Sequence, residues 1–349
     1  MSYMYERVAT PSSGLRLHLN ENTAGCAPTV VEVLRRITPE DAAFYPDYSE
    51  AIAACCERFG IPPDALLLTN GLDEGILAAS VSALRNSPAE APFEAIVVVP
   101  AFDMYAACAD GAGGRVVEVP LTLDFAFPIE AVLGAISART RIVFITTPNN
   151  PTGITVPRKN ILAIAAAAPG ATIFVDEAYA DFSGVTLIGD PALEAHPNIV
   201  VGRTFAKAYG LAAIRAGALI GAPERLAAIR RVVPPYSINV AAAMAIPAAL
   251  RDRERYDWYL GEVRESKQLL YAAFDRLGVQ YWPSDGNFVL ARLGEALPRV
   301  IQRLAAGGIY IRDRSRNHGC DGCVRITAGV VEHTRQCIDA IEEALCAAP

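Results

Sequence analysis

Lysine is nearly absent from this chain. Of 31 basic residues only Lys159, Lys207 and Lys267 carry an amine, the rest being arginine, so each of the three needs a reason. Histidine is as sparse, at four, and no His-Glu-x-x-His run occurs, which leaves a zinc hydrolase without support. Eight cysteines in 349 residues, two of them adjacent at Cys55 and Cys56, are too thin for the disulfide framework of a small secreted domain. Reduced thiols are expected, and no metal site, because the Cys320 and Cys323 pair has no second pair at ligand spacing. Long hydrophobic runs are missing too. The longest, Ile161 to Val175, is interrupted by Pro169 and Gly170 and falls short of the roughly 20 residues of a membrane-spanning helix. Met1 to Thr10 lacks the basic-then-apolar order of a secretory signal, so the cytoplasm is the expected compartment. Positive charge is in deficit, at a net −7, which excludes the clustered basic footprint that a nucleic acid or an anionic bilayer requires.

Apolar residues make up 52% of the chain and charged residues 20%, a balance that buries a large core, and the length suggests two packed units. The middle of the chain alternates short β-branched runs with Ala- and Leu-rich stretches, the pattern of βα units around a buried parallel sheet. Expected strands are Ala95–Pro100, Arg115–Val119, Arg141–Thr146, Thr172–Asp176, Ile199–Arg203 and Ala216–Ile220, with helices at Asp73–Ser87, Asp103–Asp110, Ile129–Ser137 and Arg158–Ala168. From Val240 the texture changes to a charged helix over Arg251–Leu277 followed by short strands at Phe288–Arg292, Ile309–Arg312 and Val324–Thr327, with a hinge expected near Pro234–Pro235. The expected architecture is a doubly wound, mostly parallel α/β domain over 31–245 and a smaller α+β domain from 1–30 and 246–349.

The Gly cluster at 111–114 precedes a strand, so it reads as a turn and not as a dinucleotide-binding loop; neither a phosphate-binding Gly-Lys loop nor a Gly-x-Ser-x-Gly elbow is present. What stands out is polar residues where burial makes them costly. Asp176 ends the run Thr-Ile-Phe-Val-Asp, at the carboxyl edge where open α/β sheets bind ligands. Asn150 lies in Thr-Thr-Pro-Asn-Asn-Pro-Thr-Gly after a second strand, and Lys207 follows a third in Thr-Phe-Ala-Lys-Ala-Tyr-Gly-Leu among apolar neighbours. Burial favours the neutral amine, as a Schiff-base lysine requires. Singly, these residues read equally well as a helix cap, a turn residue and a surface amine; on three successive strand ends they form a constellation.

That constellation resembles the fold-type I pyridoxal-phosphate aminotransferases, most closely histidinol-phosphate aminotransferase, over nearly the whole chain. The resemblance rests on Asn-Glu-Asn at 20–22, Phe-Tyr-Pro at 44–46, Asn-Gly-Leu-Asp-Glu at 70–74, Asn-Asn-Pro-Thr-Gly at 149–153, Asp-Glu-Ala-Tyr at 176–179, Thr-Phe-Ala-Lys at 204–207 with Arg215, Ile-Arg-Asp at 311–313 and Val-Arg-Ile-Thr at 324–327. It implies that Lys207 holds the cofactor covalently and shuttles the substrate proton, and that Asp176 keeps the pyridine nitrogen protonated. Asn150 and Tyr179 would bond the ring's phenolic oxygen and Tyr105 would stack on its face. The Leu72 and Asp73 amides, Thr204 and Arg215 would bind the phosphate, with Tyr45 reaching it from the partner subunit of a homodimer. Arg325, with Arg312 at a second such position, would take an anionic group of the substrate. For Arg312, Arg314 and Arg316 a solvated strand end is the competing reading. Ala24 and Ala206 stand where the family carries a tyrosine for the substrate phosphate and a serine for the cofactor phosphate. The implied reaction moves an amino group between an amino acid such as glutamate and a phosphorylated or aromatic keto compound. A decarboxylase of the threonine-phosphate type or an aromatic aminotransferase would use the same residues, and a non-catalytic sensor the same fold.

Overall fold

The structure, a computed structural model, describes Tyr3, Val8 and residues 11–346; the reading of Met1 to Thr10 as no secretory signal lies outside those residues, apart from Tyr3 and Val8. Seven strands form the central sheet: β1 (Leu66–Thr69), β2 (Glu94–Val99), β3 (Arg115–Pro120), β4 (Thr140–Thr146), β5 (Thr172–Asp176), β6 (Ile199–Thr204) and β7 (Gly217–Gly221). They lie in the order β1-β7-β6-β5-β4-β2-β3, parallel except for β7, which runs against both neighbours. The winding reverses at β2, whose neighbours are β3 and β4, and the crevice opens beside such a reversal at the carboxyl ends of the strands.

Strand periodicity sorts the core into two layers. Ile173 and Val175 join Val143, Ile145, Ile199 and Val201 on one face, under the helices Ser49–Phe59, Arg158–Ala167 and Val240–Arg251. Phe174 joins Phe144, Val200 and Leu219 on the other, under Leu72–Leu84 and Met104–Gly111. Asp176 falls in the Phe174 register, so its carboxylate turns to the second layer, where Tyr105 is buried.

Residues 280–327 build a second sheet from β8 (Gln280–Trp282), β9 (Phe288–Arg292), β10 (Arg312–Asp313) and β11 (Cys323–Thr327), in the antiparallel order β10-β11-β9-β8. Its apolar cluster includes Leu17, Tyr259, Val289, Val324 and Ile326, and meets the larger cluster along the helix Arg253–Leu277, between Tyr256 and Tyr259.

Three expectations need correction. The strand over Ile309–Arg312 is two pieces: Ile309–Tyr310 pairs parallel with Leu15–Arg16, and β10 leaves it to pair with β11. The helix expected from Arg251 breaks at Asp252, whose side chain accepts the Arg255 N–H and caps a new helix, Arg253–Leu277. Strand β1 is not among the expected strands because Leu-Leu-Leu-Thr does not alternate and has a single β-branched residue, and burial on both sides produces such a run.

Candidate active site

Eleven of the twelve residues singled out above, all but Tyr45, line one cavity of about 620 Å³ at the carboxyl edge of the sheet. Its floor is Asp176, which is 4% exposed. The Tyr105 hydroxyl donates to Asp176 Oδ2 at 2.6 Å and accepts from the Thr146 hydroxyl at 2.9 Å, while the Ala178 N–H donates to Asp176 Oδ1 at 2.9 Å. Burial raises the Asp176 pKa to about 6 in spite of these donors. Tyr105 stacks on Phe144 at a centroid distance of 4.9 Å, so its hydroxyl is held on the acid.

Lys207 sits in the turn after β6, closed by Leu211 N–H to the Phe205 carbonyl and Gly210 N–H to the Lys207 carbonyl. The segment around Leu19–Cys26 folds over this turn: Asn22 Nδ2 donates to the Ala208 carbonyl, and Lys207 Nζ donates to the Leu19 carbonyl at 2.9 Å. Burial, and next the Arg325 cation, lower the amine's pKa to about 8. The other two lysines lie elsewhere: Lys159 is exposed, and the buried Lys267 donates to the Ser284 carbonyl.

Next to the floor, the start of the helix Leu72–Leu84 is left open beneath Arg215. Gly71 precedes the helix Leu72–Leu84 at φ +77°, and a Cβ there would come within 2.6 Å of Arg215 Nη2. Gly217 leaves equal room, since its Cβ would meet the Leu72 nitrogen at 2.6 Å. Arg215 is thereby laid over the helix start, held by Asp73 Oδ2 at 2.9 Å and the Ala212 carbonyl at 3.0 Å. Thr204 is at the same end, its hydroxyl accepting the Ala206 N–H.

The opposite wall is basic. Arg325 Nη1 donates to Asn150 Oδ1 and Nη2 to the His18 carbonyl at 2.7 Å. Arg312 lies opposite Arg325 in the β10–β11 register, and Arg314 and Arg16 complete the wall. Tyr179 is buried, its hydroxyl accepting from Asn20 Nδ2 at 3.0 Å. Tyr45 lies outside the cavity of its own chain. It is 77% exposed and stacks on Tyr236, beside the exposed Phe44.

Residues that the strand-end argument missed come from distant parts of the chain. Asn20, 1% exposed at φ +54°, ties Tyr179 to Thr327, and its position in the Asn-Glu-Asn run was the available signal. Arg314 was grouped with a solvated strand end; it is buried, and its two-residue spacing from Arg312 placed both on one face.

The class I and II aminotransferases match residues 12–341, and the chain belongs to that family. Histidinol-phosphate aminotransferase 2 of Ralstonia nicotianae is 36% identical over 96% of this chain and 89% of its own length. The histidinol-phosphate aminotransferase of Moorella thermoacetica is 33% identical over 95% and 85%. Among solved structures, histidinol-phosphate aminotransferase from Sinorhizobium meliloti, in complex with pyridoxal-5′-phosphate, superposes with a TM-score of 0.83 at 25% identity, covering 95% of this chain and 90% of that one.

The raised Asp176 pKa carries a stability consequence for the ligand-free protein. The folded state holds the proton more tightly than the unfolded one, so the contribution is complete below about pH 4 and is lost as pH rises through about 6. Asp176→Asn removes this dependence. Between pH 4.5 and 7.5 the variant is expected to gain on the order of 2 kcal/mol relative to the parent chain, read by urea unfolding; parallel pH profiles would contradict the assignment.

Proposed function

We propose that the chain is a pyridoxal-phosphate-dependent aminotransferase acting on a phosphorylated substrate of the histidinol-phosphate type, with an amino acid such as glutamate as the second partner. The observation that carries this reading is one cavity that holds a half-buried amine, a buried carboxylate, a cradle for one anion and a separate wall of arginines for another. The residues fit the cofactor. The Gly71 and Gly217 cradle under Arg215 suits its phosphate, with the Leu72 and Asp73 amides at the helix start and the Thr204 hydroxyl as further donors.

When bound, pyridoxal phosphate supplies an aldehyde that joins amines and a ring that accepts electrons from the substrate α-carbon. Lys207, whose amine burial keeps in reach of its neutral form, would hold the cofactor and, once displaced, would carry the α-carbon proton to the cofactor's former aldehyde carbon. Asp176 would pair with the ring nitrogen and keep it protonated, and the Tyr105 hydroxyl fixes the carboxylate for that task. Asn150 and Tyr179 present their polar ends to the ring oxygen. Arg325, aimed by Asn150 and the His18 carbonyl, takes an anionic group of the substrate, with Arg312 beside it.

The same reading makes the enzyme a homodimer, in which Tyr45 serves the partner's phosphate cradle. The exposed Phe44, Tyr45 and Tyr236 support this, since aromatic side chains grouped on the surface mark contact sites. The separate apolar cluster of the second sheet supports a larger and a smaller unit, which we place at 31–245 and at 1–30 with 246–349, although Val30, Ile246 and Leu250 pack with the larger unit's core. Eight free thiols support the cytoplasm as the compartment.

Two results are expected. The yellow holoenzyme is converted to its pyridoxamine form by histidinol phosphate and by glutamate, read by absorbance. Conversion by aromatic amino acids but not by histidinol phosphate would move the substrate, and release of carbon dioxide would move the reaction to the decarboxylases. In equilibrium sedimentation the holoenzyme behaves as twice the 37.2 kDa chain, and Tyr45→Ala loosens the cofactor without dissolving the pair; a monomer with full activity would end the shared-site reading.

A further inference from the structure

Arg314 is 6% exposed, lines the outer wall of the cavity, and is unlike the other buried arginines. Arg203 is matched by Glu177 at 3.3 Å and Asp181 at 2.7 Å, and Arg325 by Asn150 and the His18 carbonyl. The Nε of Arg314 has no hydrogen-bond partner, and its guanidinium enters no ion pair among the described residues. The backbone pins it all the same: the Arg314 N–H donates to the Cys323 carbonyl at 2.9 Å, and the Asn317 N–H to the Arg314 carbonyl at 2.9 Å. Burial pulls its pKa below the usual arginine range and the neighbouring Arg312 adds to that, Asp103 acting against them. A buried cation with no bonded partner, offset only by the charge of Asp103, is costly for a fold to hold, and one that faces a cavity is satisfied by an anion entering it.

The anion's charge follows from the wall. A single carboxylate is served by one guanidinium fork, and Arg325 already offers one. Arg312 and Arg314 repel each other until something between them carries more charge and more acceptor atoms. A phosphate ester has about −1.5 to −2 charge and three free oxygens.

We propose that Arg314 is a specificity-determining residue that, with Arg312, recognises the dianionic phosphate-ester end of the substrate. This rests on the reading of a phosphorylated substrate and names the side chain that enforces it. The variant to make is Arg314→Met, with the exposed Arg316→Met as control. Both are studied as holoenzymes, so that the cofactor fills its own phosphate cradle. In calorimetric titration with inorganic phosphate, Arg314→Met is expected to bind about tenfold or more weakly than the parent, the loss of one charged hydrogen-bonding group, while Arg316→Met is unchanged. The half-reaction with glutamate, which has no phosphate, is expected to keep its rate, and the melting temperature to hold or rise, since an unpaired buried charge has gone. Unchanged phosphate binding, or a lowered melting temperature with glutamate and phosphate affected alike, is the pattern of a structural arginine and overturns the proposal. Should Arg314→Met fold poorly, Arg314→Lys keeps the charge but loses the fork, and is expected to weaken phosphate binding while sparing glutamate. If the parent enzyme does not convert histidinol phosphate, that counts against the substrate reading; the phosphate titration still decides the role of Arg314.

Discussion

Holding a half-buried amine and a buried carboxylate in the same cavity is the constraint on which the rest of this structure depends. Each charged form is penalised by burial, so the amine is shifted down to about 8 and the acid up to about 6, and both are brought toward neutral pH. A surface pair would have neither property, because solvent would screen the charges and leave both groups fully ionised. The fold tolerates the cost by surrounding both with fixed polar partners. Tyr105 and the Ala178 N–H hold the acid, and the Leu19 carbonyl holds the amine. The chemistry asks for this pairing, with an amine that can act as a nucleophile and a base and an acid that can hold a ring proton.

The sheet makes the arrangement repeatable. Successive parallel strands deliver Asn150, Asp176 and Lys207 to one edge, and the register that sets Thr146 beside Asp176 also points Asp176 at Tyr105. The second sheet faces that edge with arginines, and the segment around Leu19 closes over Lys207. One cavity therefore lies between the main sheet's edge and the second sheet, with the Leu72 helix start and Arg215 on one side and the arginines on the other.

How far this could be read from the chain depended on where each residue lies. Asp176 and Lys207 were legible because each follows a β-branched run, where a polar residue is costly and demands a reason. Asn150 was legible for the same cause, with two prolines fixing its turn. The wider set, Leu72, Asp73, Thr204, Arg215 and Arg325, came through family resemblance, and the geometry then brought these residues to one cavity. Asn20 and Arg314 escaped because neither lies at a strand end of the main sheet. Each acts through contacts hundreds of residues away or through burial, and the local signals, the Asn-Glu-Asn run and the two-residue spacing from Arg312, do not by themselves reveal either role. The split at Ile309–Arg312 was hidden for a similar reason: the break is set by Leu15–Arg16, which takes one half of the run as its partner.

The rarity of lysine makes the central claim open to a direct measurement. Borohydride reduction of the yellow holoenzyme, followed by proteolysis and mass spectrometry of the peptides, should place the pyridoxyl group on Lys207 and nowhere else. Attachment at Lys159 or Lys267, or the same adduct recovered from Lys207→Ala, would contradict the account.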